Sequence, residues 1–215
     1  FDVVDTLEKG FGIFWKEPRF MIFFLLPTII LLGMMAILGA SLFYGFGFEA
    51  APSPFLGTAV IAYVVVLIAV IFVLFSWGAA AAIIKADAIL RKKGMPVTEA
   101  FSLGLRKVPK LILTTLITTG IVMAGCIALI IPGIYLMARL LLAQQACVLD
   151  RKGLGIMSSW NATRGNFWRL FALVLLLGII SAVVSFIPVV GAFISYLVIT
   201  PVGMICYVMV YRKLK

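Results

Sequence analysis

The sequence has no histidine and only eight acidic residues among 215. Without an imidazole there can be no histidine general base, no Ser–His triad and no histidine ligand to a metal. The eight acids are scattered along the chain, and no two are placed as a carboxylate pair for acid/base work. The three cysteines, Cys126, Cys147 and Cys206, stand far apart inside apolar runs and form no CxxC motif. They read as small apolar fillers, and no metal site is expected. There is no Walker pattern, and Gly153-Leu154-Gly155 lacks the spacing of a phosphate-binding loop. Charged residues make up 12% of the chain, against about 25% in a soluble domain. These absences point away from an enzyme and away from any cofactor.

What the chain has in excess is apolar surface. Hydrophobic residues reach 64% and mean hydropathy is +1.23. Several uninterrupted runs exceed the roughly 18 residues that mark a membrane span. A soluble fold, a disordered tail and a disulfide mini-domain are excluded together. The expected fold is an all-α integral membrane protein with six transmembrane helices. The spans are expected at Phe20–Tyr44, Phe55–Ile84, Leu111–Ile131, Ile134–Leu149, Phe167–Ile187 and Val190–Tyr211. The fourth is short: its 16 residues reach about 24 Å, less than the ~30 Å hydrocarbon core. No signal-peptide pattern opens the sequence.

The net charge of +10 reports topology. Seventeen of the 18 basic residues fall before the first span, between spans two and three, between or just inside spans four and five, and at the C-terminus. With six spans, those segments share one side. The opposite side has the link Gly45–Pro54, a Pro132-Gly133 turn and a turn at Pro188, with Glu49 its one charge. The positive-inside rule then places both termini in the cytoplasm. A basic face beside a bilayer implies anionic phospholipid as partner rather than nucleic acid.

Each basic segment that precedes a span carries an amphipathic stretch. Val4, Leu7, Phe11 and Phe14 recur at helical spacing before the first span, as do Val97, Phe101, Leu105 and Val108 before the third. Leu154, Met157 and Trp160 share a face before the fifth. Short helices lying in the interface are expected at all three places. Pro18, Pro109 and Gly165 then mark the turn from lying flat to crossing. The chain therefore reads as one polytopic domain, 1–215, of three parallel hairpin repeats at about 1–93, 94–150 and 151–215. Parallel repeats lack the inverted halves of many secondary transporters.

The most distinctive local pattern is in the second half. Ile131-Pro132-Gly133-Ile134-Tyr135 is followed by Arg139, and then by Ser159-Trp160-Asn161-Ala162-Thr163-Arg164-Gly165-Asn166-Phe167-Trp168. Across roughly residues 90–190 this resembles the membrane domain attached to some glycerophosphodiester phosphodiesterases, and its stand-alone bacterial and archaeal relatives. The resemblance implies a membrane module. Catalysis in that family belongs to a separate barrel, which these residues do not contain, so no activity is carried over.

Arg139 is the one basic residue placed inside a span, where an unpaired charge costs a few kcal/mol. Two readings stand: an anionic-substrate or lipid-headgroup site, or a clamp onto carbonyls or hydroxyls of a neighbouring helix. Gln144 and Gln145 follow, with Gln145 placed near the face of Arg139. Thr114, Thr115, Thr118 and Thr119 form a polar stripe that either bonds helices or lines a path. The ligand or headgroup candidates are Arg139, Gln145, Thr115 and Thr118. The cytoplasmic-interface candidates are Trp160, Arg164, Asn166, Trp168, Lys107 and Lys110. Lys85 and Asp87 are expected to end the second span, either favoured there by the helix dipole and lipid or pairing with a basic residue of another repeat. Ser76 to Ala82 is a small-residue patch for helix contact. Asn161-Ala162-Thr163 matches a glycosylation sequon, discounted by its cytoplasmic placement. Two functions remain: a non-enzymatic module binding lipid, a partner protein or a second copy through its basic face, or a transporter or channel for a small anionic or amphipathic solute using Arg139.

Overall fold

The computed structural model describes residues 2–46, 54–150, 153–187 and 190–215. Most of the Gly45–Pro54 link, Glu49 included, the turn at Pro188, and Arg151 and Lys152 lie outside the described residues. Among the described residues there is no strand. Six segments are long and apolar enough to cross a membrane: Pro18–Ile37, Ile61–Leu90, Val108–Ala128, Ile131–Leu149, Phe167–Ser185 and Val190–Leu214. The chain is an all-α, six-span membrane protein.

The three amphipathic stretches are helices, and all three tuck against the bundle. Helix α1 (Val3–Lys16) begins where the Asp2 side chain accepts the backbone N–H of Val4, an N-cap that satisfies an orphan donor. It lays Leu7, Gly10 and Phe14 on the C-terminal helix. Gly10 is needed there because a Cβ would meet Cys206 Sγ at 2.5 Å. Pro18 ends α1 and opens a single 3₁₀ turn, Pro18–Met21, that redirects the chain into α2 (Ile22–Phe46). Helix α4 (Val97–Leu105) buries Ala100, Phe101 and Gly104 against α3 (Pro54–Leu90). Trp77 of α3 donates its indole N–H to the Phe101 carbonyl at 2.9 Å.

Four expectations need correction. First, α3 has 37 residues, about 55 Å of helix against a ~30 Å core. It runs past the expected end at Ile84, and its last turns bury Ala80, Ala81, Ala82, Ile83 and Ala86 under α4 and the C-terminal helix. The small residues let those helices approach. Lys85 and Asp87 lie near the end of the span, as expected, but packed among these helices. Second, the turn between spans three and four is made by Leu129, whose extended backbone separates α5 (Val108–Ala128) from α6 (Ile130–Leu140). Pro132 lies in the first turn of α6, where its missing N–H costs nothing. Gly133 is a packing residue: a Cβ there would strike Cys126 of α5.

Third, the fourth span is two helices. Helix α6 stops at Leu140, and after Leu141-Leu142 the chain restarts as α7 (Ala143–Leu149). Fourth, the sixth span is interrupted. Helix α10 (Val190–Ile194) passes through one π turn, Ser195–Ile199, into α11 (Thr200–Leu214). Pro201 has no N–H for the regular ladder, and the wider turn before it absorbs the defect. Helix α8 (Ile156–Ala162) packs on α7 and α6, and Gly165, at φ +82°, turns the chain into α9 (Phe167–Ser185). At the other end of α8, Gly155 is held at φ +77° so tightly against Ala143 and Ala146 that no side chain would fit.

Candidate functional site

Three places bring the polar residues together. The first is the end of α6, where the helix break leaves the Arg139 carbonyl without its ladder partner. Ser159 of α8 donates its hydroxyl to that carbonyl at 2.8 Å, and the Thr163 hydroxyl lies 3.3 Å from it. The Arg139 guanidinium bonds the Tyr135 hydroxyl at 2.9 Å and the Trp160 carbonyl at 3.2 Å. It also stacks over the Trp160 ring, 4.7 Å from its centre, and beside the Tyr135 ring at 5.3 Å. So Tyr135, Arg139, Ser159, Trp160 and Thr163, the residues of the most distinctive pattern, are one clamp that pins α8 to the broken span. The clamp reading of Arg139 describes this geometry. Gln145 does not join the clamp: its amide lies against Met204, while Arg139 bonds Tyr135 and Trp160.

The second place is a cavity of about 320 Å³ between α5, the α6–α7 break and α11. Gln144, Gln145, Thr118 and Thr119 face it, with Met123, Met137, Leu140, Leu141, Met204 and Tyr207. Gln145 is only 2% exposed. Its amide nitrogen sits against the Met204 thioether at 4.0 Å, and its carbonyl oxygen has no hydrogen-bond partner. Thr118 bonds within α5, to the Thr114 carbonyl at 2.8 Å. Thr115 accepts from Gln144 at 3.4 Å, just behind the cavity wall. Thr114, fully buried, reaches the Leu154 carbonyl at 2.9 Å and Cys147 Sγ at 3.1 Å, so it ties α5 to α7 and the loop beyond. The threonine stripe thus divides: Thr114 is interhelical glue, while Thr118 and Thr119 face space. Of the four ligand candidates, Gln145 and Thr118 meet in the cavity, Thr115 stands behind it, and Arg139 belongs to the clamp.

The third place is on the basic face. A cavity of about 330 Å³ lies where α3, α4, α7 and α11 end. Arg91, Lys93, Arg106, Lys107 and Arg212 face it, with one carboxylate, Asp87. Asp87 pairs with Arg91 at 3.0 Å and with Arg212 at 2.6 Å, which joins the second span to the sixth. Lys93, Arg106 and Lys107 have no carboxylate partner among the described residues. Leu103, Val148 and Leu149 give the cavity an apolar wall. The sequence singles out Lys107 as an interface candidate and Asp87 as a partner for a basic residue of another repeat, and Arg212 is that residue. The other cations come from the α3–α4 link, the α4–α5 link and α11, and only folding gathers them.

Around this cavity the charges staple the basic face together. Buried Lys85 bridges Glu17 at 3.0 Å and the Met95 carbonyl at 2.8 Å. This pairing replaces the expected contact with lipid anions. Lys213 reaches Asp5, and both Lys215 and the Tyr211 hydroxyl bond Asp150. Burial acts to raise the Asp150 carboxyl, but the hydrogen bonds from Lys215 and Tyr211 outweigh it and hold the group below the usual carboxylate value. The hydrogen bond from Lys9 lowers the Asp5 carboxyl.

The remaining interface candidates are dispersed. Trp168 is 76% exposed at the start of α9, Arg164 is exposed, and Lys110 and Asn166 are half-buried at the starts of α5 and α9. Trp160 is engaged by Arg139. No cluster of three or more metal-ligating side chains occurs among the described residues. No family model matches the chain, and comparisons with curated proteins and with solved structures give no match.

Proposed function

We propose that the chain is a non-enzymatic membrane module that holds anionic phospholipid at its cytoplasmic face. The basic cavity carries this reading. Four cations from the loops on either side of α4, with Arg212 of α11, face a space with one carboxylate and an apolar wall. That is the chemistry of a phosphate headgroup with the start of its acyl chains. Each Lys or Arg near a membrane surface contributes about 1 kcal/mol toward anionic lipid. Lys16, Arg19, Lys110, Arg164 and Arg169 lack carboxylate partners among the described residues and extend the field. The positive-inside rule assigns this face to the cytoplasm, with both termini on it. The three hairpin units and the resemblance to the phosphodiesterase membrane domain accord with a module built to meet lipid. The solute-transport reading loses its main support, because Arg139 is engaged by Tyr135 and Trp160.

The test is native mass spectrometry of the gently solubilised chain from mixed phosphatidylcholine and phosphatidylglycerol. Phosphatidylglycerol should be retained in preference, and the triple variant Lys93→Ala/Arg106→Ala/Lys107→Ala should lose that preference. Equal retention of the two lipids would sink the proposal.

A further inference from the structure

The cavity beside Gln145 is separate from the basic face in position and in chemistry. It lies at membrane depth: Thr118 is ten residues into α5, about 15 Å from the basic end and near the middle of a ~30 Å core. None of its lining residues is charged. Among the described residues the Gln145 carbonyl is buried without a donor. The amide nitrogen faces the Met204 thioether, the weak acceptor it can donate to, which leaves the oxygen as the unpaired end. A buried acceptor left unpaired costs about 1–3 kcal/mol, so a group that donates to it would bind with that much in hand. Met123, Met137 and Met204 supply flexible apolar walls that adapt to a chain rather than fix a rigid ring. The volume, about 320 Å³, falls at the lower end of ligand sites of about 300–1,000 Å³.

We infer that this cavity binds a neutral membrane lipid with a single free hydroxyl, its O–H donated to Gln145 and its chain lying among the methionines. A phosphate is disfavoured by chemistry: at this depth it would be a buried charge, and no residue lining the cavity is a cation. A hydroxyl-bearing neutral lipid such as diacylglycerol has no such obstacle and can sink to the level of Thr118. Met123 and Met137, on the rim of the cavity, are exposed.

The full chain is titrated in mild detergent with dioleoylglycerol, with its 3-acetyl ester, whose hydroxyl is capped, and with dioleoyl phosphatidylglycerol. Native mass spectrometry reads the complexes. Dioleoylglycerol should form a one-to-one adduct, and the capped ester should bind about tenfold more weakly, the effect of one hydrogen bond to an otherwise unpaired acceptor. Gln145→Leu should bring dioleoylglycerol down to the level of the ester while leaving phosphatidylglycerol retention unchanged. Met123→Trp, a change on the exposed rim, should block both neutral lipids. Equal affinity for the free and capped lipids in the wild type overturns the inference, even where Gln145→Leu does not fold. Absence of any one-to-one neutral adduct overturns it too, and leaves water as the occupant. If phosphatidylglycerol preference fails while the hydroxyl preference holds, the basic-face proposal falls and this one stands.

Discussion

The basic half of the bundle and the opposite half are built from equally apolar helices, yet they differ in packing. In the basic half, Phe14, Phe20, Phe23, Leu142 and Leu170 are fully buried, and Asp87, Asp150 and Lys85 are all paired. In the opposite half Ile127, Ile131 and Phe186 are each more than 80% exposed. The spans touch closely at one end and open toward the other. The difference shows what holds a membrane bundle together. Lipid tails are as apolar as leucine, so hydrophobicity alone does not bring spans together. Close approach of small residues and satisfied polar groups do; small-residue contacts occur in both halves, as at Gly133 against Cys126, but the paired charges lie in the basic half. The tucked helices α1, α4 and α8 add a layer there that the other end lacks.

The sharpest way to break this contrast is a matched pair of glycine substitutions. Gly78 of α3 lies against the backbone of α2: a Cβ would strike the Phe23 carbonyl and meet Pro27 at 3.0 Å. Gly33 of α2 has nothing within 4 Å. Gly78→Leu should destabilise by about 3 kcal/mol or more, since the Phe23 backbone in its way cannot step aside. Gly33→Leu should be neutral or slightly stabilising, because leucine is the better helix former by under about 1 kcal/mol. Thermal unfolding in detergent, followed by circular dichroism, reads both. Equal effects would mean that the outer half is packed in the membrane.

The clamp at the helix break comes next in size. Arg139→Met removes the charged hydrogen bonds to the Trp160 carbonyl and the Tyr135 hydroxyl and should cost about 1.5–3 kcal/mol, the range for hydrogen bonds to a charged group. Ser159→Ala should cost about 1 kcal/mol, because Thr163 still reaches the Arg139 carbonyl. Ile127→Ala, on the open half, should stay within about 0.5 kcal/mol. A neutral Arg139→Met would detach Arg139 from the fold and return it to the ligand candidates.

The same contrast explains what could be read from sequence. Span number, the charged face and the three amphipathic helices follow from period and charge, which are local properties. The glycine and proline breakers at Pro18, Pro109 and Gly165 were legible for the same reason. The break at Leu141-Leu142 was not, because no proline or glycine marks it: its carbonyl is capped by Ser159 and Thr163, some 20 residues on. The six residues from Arg139 to Gln145 turn through about 600° of helix, so Gln145 stands off the face of Arg139 even in an unbroken span. The adjacent polar pair Gln144-Gln145 in an apolar run did flag the cavity, but its partners Met204 and Tyr207 lie about 60 residues away, with nothing to mark them. The basic cavity was hidden in the opposite manner. Every cation was visible, but which of them share one space depends on α3 running past the membrane and on α4 folding back over it.

The smallest expected effect tests the charge staples. Among the described residues every carboxylate lies in the basic half, so acid should loosen that half alone. The Asp150 carboxyl is held below its ordinary value of 3.8. A group lowered by folding contributes its full stability above that ordinary value, and the contribution is lost as the pH falls through the lower folded value. Asp5 has the same sign, lowered by Lys9. Between neutral pH and 3.8, these two staples should therefore change little. Below it, Lys215 and Lys213 lose their partners, and the tail together with α1 should exchange amide hydrogens faster, while the outer turns of α5 and α9 stay unchanged. Asp150→Asn should weaken the Lys215 contact at neutral pH and flatten the acid response of the tail. A response spread evenly over both halves would mean that these ion pairs are not what distinguishes them.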